Sequence, residues 1–227
     1  MPTSTMSQIS PIMAVVERIR PARVLDIGVG CGKYGFLCRE LLEVYQGGRS
    51  ALSSIEAFPT DGDAAVIDGI EAYEEYITPL HRLIYNTLFL GDALSVLPGM
   101  ASSSYDIVLA IDVLEHFPTE AGRRFLGECS RVAPLALIAT PKIVCKQGAV
   151  HGNDFETHRS CWDRHGLLNE GSRCVLDAEE SWLALFGDSP AVDEIAWMHS
   201  PRRFVPEFPG KSVLGMLRRA LVKQRQE

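Results

Sequence analysis

Residues 24–35 read VLDIGVGCGKYG, an apolar run closed by Asp26 and followed by glycines at 28, 30, 32 and 35. No other stretch restricts the fold as much. A short apolar run reads as a buried strand, and closely spaced glycines let the backbone turn sharply and lie near a ligand. The periodicity resumes at Lys33 as a helix predicted over residues 33–45, with Leu37, Leu41, Val44 and Tyr45 on its inner face. The free amides at the start of such a helix point back at whatever the loop holds. Asp26 then sits at the carboxyl end of the first strand, the edge at which open α/β sheets bind ligands.

The rest of the chain supports a doubly wound α/β sheet. Strands are predicted at 23–27, 65–70 (followed by Glu71), 87–90, 105–111 and 135–140, with helices over 73–85 and 119–131 between them. Alternating strands and helices favour a mostly parallel sheet, and YDIVLAI at 105–111 is nearly continuous in apolar residues, as a strand buried on both faces should be. Phe125, Leu126, Cys129 and Val132 share one face of the 119–131 helix. Before this core, residues 1–9 read as a frayed tail, and Ser10-Pro11 as the cap and first turn of a helix that Pro21 ends. That helix is expected to cover part of the ligand site.

Beyond Pro141 the pattern changes. Residues 141–160 form a long polar loop containing His151, His158 and Arg159, and loops of that length in a compact domain are usually functional or disordered. A short helix is expected at 163–168, then a closing strand pair at 173–176 and 182–186 that turns at Glu179-Glu180. The domain is placed at 1–187, with an extension over 188–227. That extension is irregular around prolines 190, 201, 206 and 209 and ends in a basic amphipathic helix at 211–225. Three uses compete for this helix: packing on its own domain, a homodimer contact, or attachment to an anionic membrane surface. Residues 46–63, rich in glycine and serine, read as an insertion.

Composition excludes several functions. A net charge of −7 makes the chain a poor phosphate-backbone binder, so no nucleic-acid partner is expected. No apolar run approaches the length of a transmembrane segment, and the first ten residues lack the basic flank and apolar core of a secretory signal. Six cysteines with no C-x-x-C spacing suggest free thiols in a reducing, cytoplasmic setting. Cys31, inside the glycine loop, reads as a small filler.

Gly30, Gly32 and Gly35 match the dinucleotide pattern G-x-G-x-x-G. The longer D-x-G-x-G-x-G of Asp26, Gly28, Gly30 and Gly32 is more specific, and it resembles motif I of the class I S-adenosylmethionine (SAM) dependent methyltransferases. The resemblance extends over residues 22–140. Glu71 matches the acid that grips the ribose hydroxyls of SAM, Asp92-Ala93 the residues at the adenine, and Asp112-Val113 in IDVLEHF the segment after the fourth strand. It implies a Rossmann-like, mostly parallel seven-stranded sheet, SAM as cofactor, and methyl transfer to oxygen or nitrogen of a small molecule. One departure is the distance from Asp26 to Glu71, longer than the usual ~20 residues. The insertion accounts for it. Glu56 is the rival acid, but Glu71 leaves room for one helix and one strand before Asp92.

His116 and His158 are the candidate general bases, needed only where the attacking group carries a proton at working pH; His151 ranks below them. Asp112 and Glu115 are alternatives for the methionine end of SAM. Asp112, Glu115 and His116, with His151 or His158, are also ligand types for a divalent ion. Their spacing is similar to the Glu-x-x-Glu-His of small-RNA 2′-O-methyltransferases, with an aspartate in first place and an acidic chain arguing against RNA. The reading adopted has no metal. Its rivals are an NAD(P)-dependent oxidoreductase and a non-catalytic SAM-binding protein.

Overall fold

The computed structural model describes residues 3–45, 65–143 and 146–198. The expected insertion at 46–63 and the basic helix at 211–225 lie outside the described residues.

Seven strands form one sheet: β1 (Arg23–Ile27), β2 (Val66–Glu71), β3 (Thr87–Leu90), β4 (Ile107–Ile111), β5 (Ala136–Pro141), β6 (Cys174–Ala178) and β7 (Ser181–Phe186). Their order is β3-β2-β1-β4-β5-β7-β6. The first five are parallel, and β7 runs antiparallel to both β5 and β6. Placing an antiparallel strand between β5 and β6 departs from the 3-2-1-4-5-6 order of the dinucleotide-binding sheet. The strand order turns back between β1 and β4, so the carboxyl ends of these two strands open a crevice. Glu71, Asp112 and the loop after Ile27 all sit at that edge.

Side-chain alternation divides the two faces. On one, Leu25, Ile27, Val108, Ala110 and Ile138 pack in a single cluster with Phe125, Leu126, Cys129 and Val132 of α5 (Thr119–Val132). Phe125, Cys129 and Val132 are fully buried, and a fully buried Phe or Val stabilises the fold by about 1.5–3 kcal/mol. α4 (Ala93–Val96) packs beside α5. Elsewhere α2 (Lys33–Arg39) packs against α1 (Ile9–Ile19) and α3 (Pro79–Ile84). Asp26 points away from the α5 cluster and accepts a 2.6 Å hydrogen bond from the Tyr85 hydroxyl at the end of α3.

Several boundaries differ from expectation for local reasons. Residues 6–8 are a 3-10 turn leading directly into α1, so Gln8, not Ser10, occupies the cap position. The helix after the glycine loop changes at Glu40 to a π-helix (Glu40–Tyr45). Its buried residues are Tyr34, Gly35, Cys38 and Arg39, whereas Leu37 and Leu41 are only partly covered. Arg39 is buried because its guanidinium donates to Glu43, Asn86 and the carbonyls of Ile84 and Ala65, tying α2 to the start of β2. The helix expected over 73–85 is broken into a 3-10 turn (Glu74–Tyr76) and α3. Pro79 causes the break, since it disfavours helix at Thr78 and starts a new helix itself.

Past the expected boundary at 187, a helix over Pro190–Met198 starts at one of the prolines of the tail. Val192 and Ile195 are buried, and the Ser189 amide donates to the Pro134 carbonyl. Residues 188–196 therefore belong with the first unit, which runs to Ala196. Among the described residues, no helix is long and apolar enough to cross a membrane.

Candidate active site

A cavity of about 670 Å³ opens at the carboxyl edge of the parallel strands. The glycine loop forms one wall. Gly28, Gly30 and Gly32 have φ of 74°, 52° and 81°. At Gly28 an added Cβ would lie 2.5 Å from Val113 Cγ2, so a side chain is excluded both by backbone conformation and by the neighbouring strand end.

Glu71 closes β2 and fastens this loop. Its Oε2 accepts the Gly30 amide at 3.0 Å and its Oε1 the Tyr73 amide at 2.9 Å. A carboxylate has about four lone-pair directions, so acceptor capacity remains for a ligand. Burial pushes the Glu71 carboxyl up, and the Tyr73, Gly30 and Ala72 amides pull against that shift. Asp92 caps α4 through the Leu94 amide at 2.7 Å and faces the cavity with Ala93. Asp112 and Val113 line it at the end of β4.

Asp26 and Gly32 do not line the cavity. Asp26 is 2% exposed, and burial pushes its carboxyl up to about 6. Through the Tyr85 hydroxyl it joins β1 to the end of α3. Gly32 caps α2 in a left-handed conformation.

Sequence reasoning missed His81, which is 1% exposed. The Thr78 amide donates to its Nδ1 at 3.1 Å, which puts the ring proton on Nε2, and Nε2 donates to the Gly30 carbonyl at 2.9 Å. Glu71 and His81 thus hold the N–H and the C=O of one loop residue, Gly30. A histidine 51 residues downstream carries no local signal of that contact.

At the other end of the cavity, His116 and His158 come together, with ring centroids 5.2 Å apart. Burial lowers His116 to about 4, so its ring is neutral at pH 7. Its Nδ1 lies 3.4 Å from the Thr157 carbonyl and its Nε2 3.9 Å from Glu156 Oε2. Glu115 is 3% exposed and accepts from Thr140 Oγ1 at 3.2 Å; burial, reinforced by the charge of Asp112, pushes its carboxyl well up. Ligand atoms of Glu115, His116 and His158 all lie within 4.8 Å of one another. A second void of about 10 Å³ adjoins Glu115, Thr140 and His158, about the room one water needs. Asp112 is outside this cluster, and His151 is exposed and away from the cavity. The loop after β5 supplies Gln147, residues 153–156, His158 and Arg159 to the wall. The Arg159 and Ser160 amides fasten it to the Glu115 carbonyl at 2.8 and 3.1 Å.

No protein-family model and no curated protein matches the sequence. Solved structures do match. The N-terminal domain of EvdMO1, crystallised in the presence of SAH and D-fucose, superposes with a TM-score of 0.53 at 15% identity, over 82% of this chain and 85% of that one. Protein PH0226 of Pyrococcus horikoshii OT3 gives 0.51 at 16% identity, over 83% and 96%. A SAM-dependent methyltransferase from Aquifex aeolicus gives 0.50 at 17% identity, over 80% and 93%. The chain has the fold of the class I SAM-dependent methyltransferases.

Proposed function

We propose that this chain transfers the methyl group of SAM to an oxygen or nitrogen of a small-molecule acceptor. The observation that carries the reading is Glu71. It stands at the end of β2 with acceptor capacity to spare, directly beside a glycine loop that it holds by its own hydrogen bonds. A vicinal diol such as the SAM ribose would satisfy both oxygens. Asp92, Ala93 and Asp112 line the same cavity, and the reading assigns the first two to the adenine and Asp112 to the amino-acid end. The antiparallel β7 speaks against the dinucleotide-oxidoreductase reading.

SAM supplies an activated methyl group, so the protein's work is orientation and exclusion of water. The acceptor belongs at the histidine end, walled by Tyr76, Asn153, Glu156 and His158. There His116 or His158 takes the proton of an attacking hydroxyl. Isothermal titration with SAM, SAH and NADH tests the cofactor assignment, and label transfer from methyl-tritiated SAM to a panel of alcohols, phenols and amines tests the reaction. Binding of NADH in place of SAH would overturn the reading.

The three-residue cluster favours a second, metal-assisted form of this reaction. A carboxylate and two imidazoles in mutual reach suit a divalent ion such as Zn²⁺ or Mn²⁺. An ion there would bind the acceptor oxygen and make its proton easier to remove. Titration of the full chain with Mn²⁺ should give a binding heat that His158→Ala abolishes; no heat in the unsubstituted protein refutes the metal-assisted form.

A further inference from the structure

The amino-terminal segment, which in sequence reads as a frayed tail, is fastened across one end of the cavity. The Lys33 ammonium donates to the Ser4 carbonyl at 2.6 Å and to Ser4 Oγ at 3.0 Å, and Ser4 Oγ donates to the Tyr34 hydroxyl at 3.2 Å. Thr3 and Ser4 line the cavity beside Lys33 and Asp112. Four residues on, Gln8 is 1% exposed. Its Nε2 donates to Ser181 Oγ at 2.6 Å and faces both oxygens of Asp112 at 3.2 and 3.1 Å.

Two features single out this contact. Asp112 has φ of 55°, a left-handed conformation that is strained for a residue with a side chain. Gln8 Oε1 is buried without a hydrogen-bond partner among the described residues. An unpaired buried carbonyl is costly, and a leucine filling the same space would avoid it. What glutamine supplies is the NH₂ group that holds the Asp112 carboxylate.

Gln8 shares one N–H between the two oxygens of Asp112 and uses the other on Ser181. Lone pairs on both Asp112 oxygens remain for the cavity. An anionic acceptor and the Lys33 ammonium at one end, beside the loop amides, complement a zwitterionic amino-acid group. We propose that Gln8 is a positioning residue. It orients Asp112 as the receptor for the cofactor's ammonium group, in a subsite walled by Thr3 and Ser4. This inference rests on the methyltransferase reading of the cavity.

The test compares two ligands by isothermal titration of the full chain. They are SAH and 5′-methylthioadenosine, which has the same nucleoside and thioether but no amino-acid group. Gln8→Ala should weaken SAH about tenfold, the equivalent of one hydrogen bond, and leave methylthioadenosine within twofold. Asp112→Asn, nearly isosteric, should give the same selective loss should Gln8→Ala fold poorly, and the double variant should lose little more than either single one. Equal loss of both ligands would make Gln8 a purely structural residue and overturn the proposal, as would no change in either. Binding of neither ligand by the unsubstituted chain would instead remove the methyltransferase reading, and the subsite with it.

Discussion

Replacing Glu71 by alanine removes one side chain with two duties. Its oxygens hold the glycine loop through the Gly30 and Tyr73 amides and, in the proposed complex, accept the two ribose hydroxyls. A hydrogen bond to a charged group contributes about 1.5–3 kcal/mol. Losing both ribose contacts therefore removes roughly 3–6 kcal/mol of binding, or about 10²–10⁴-fold in Kd. Glu71→Gln is the sharper probe. Its carboxamide has one acceptor oxygen, so its NH₂ group must face either the Gly30 or the Tyr73 N–H, and the loop loses a tether even though volume is kept. Both variants should weaken SAH in a titration, and both should weaken methylthioadenosine equally, since each ligand carries the ribose. Urea unfolding of the ligand-free variants separates loss of binding from loss of fold. A less than tenfold change for Glu71→Ala would refute the assignment, and a larger effect from Glu56→Ala would transfer the ribose role to that acid.

Two further outcomes are expected. Burial lifts Asp26 from the usual 3.8 to about 6, so its protonated form is favoured in the fold; that contribution is complete below about pH 3.8 and is lost as pH rises through 6. The ionised carboxylate then costs about 3 kcal/mol, and Asp26→Asn, which keeps an acceptor for Tyr85, should be more stable than the unsubstituted chain to urea at pH 8 by up to that amount, with the gap closing at pH 4; a gap independent of pH refutes this. His116→Ala and His158→Ala should lower kcat about 10²–10⁴-fold with little change in SAM affinity, and the kcat profile should show no loss from His116 protonation until pH nears 4; equal losses of SAM binding would move both residues to the cofactor wall.

Much of the fold was legible because its signals are local. The D-x-G-x-G-x-G stretch, the apolar strands and the turn at Glu179-Glu180 each describe their own few residues, and β1, β3 and the β6–β7 pair form close to where they are expected. The spacing from Glu71 to Asp92 was enough to select a strand end, and the structure puts both residues on one cavity. Helix breaks were harder to place, since the change to a π-helix at Glu40 accompanies a buried Arg39 network whose partners come from residues 65, 84 and 86 as well as from Glu43.

The sequence by itself determined the sheet type, the glycine loop and the acids at the strand ends, since these follow from periodicity and backbone geometry within a few residues. Only the tertiary structure decided which distant side chains meet. It set His81 against the Gly30 carbonyl, Gln8 against Asp112 across 104 residues, and His158 beside Glu115 and His116, while it left His151 outside. The physical reason is that such contacts depend on where chain reversals deliver each side chain. Residue type and spacing along the chain carry no record of that delivery.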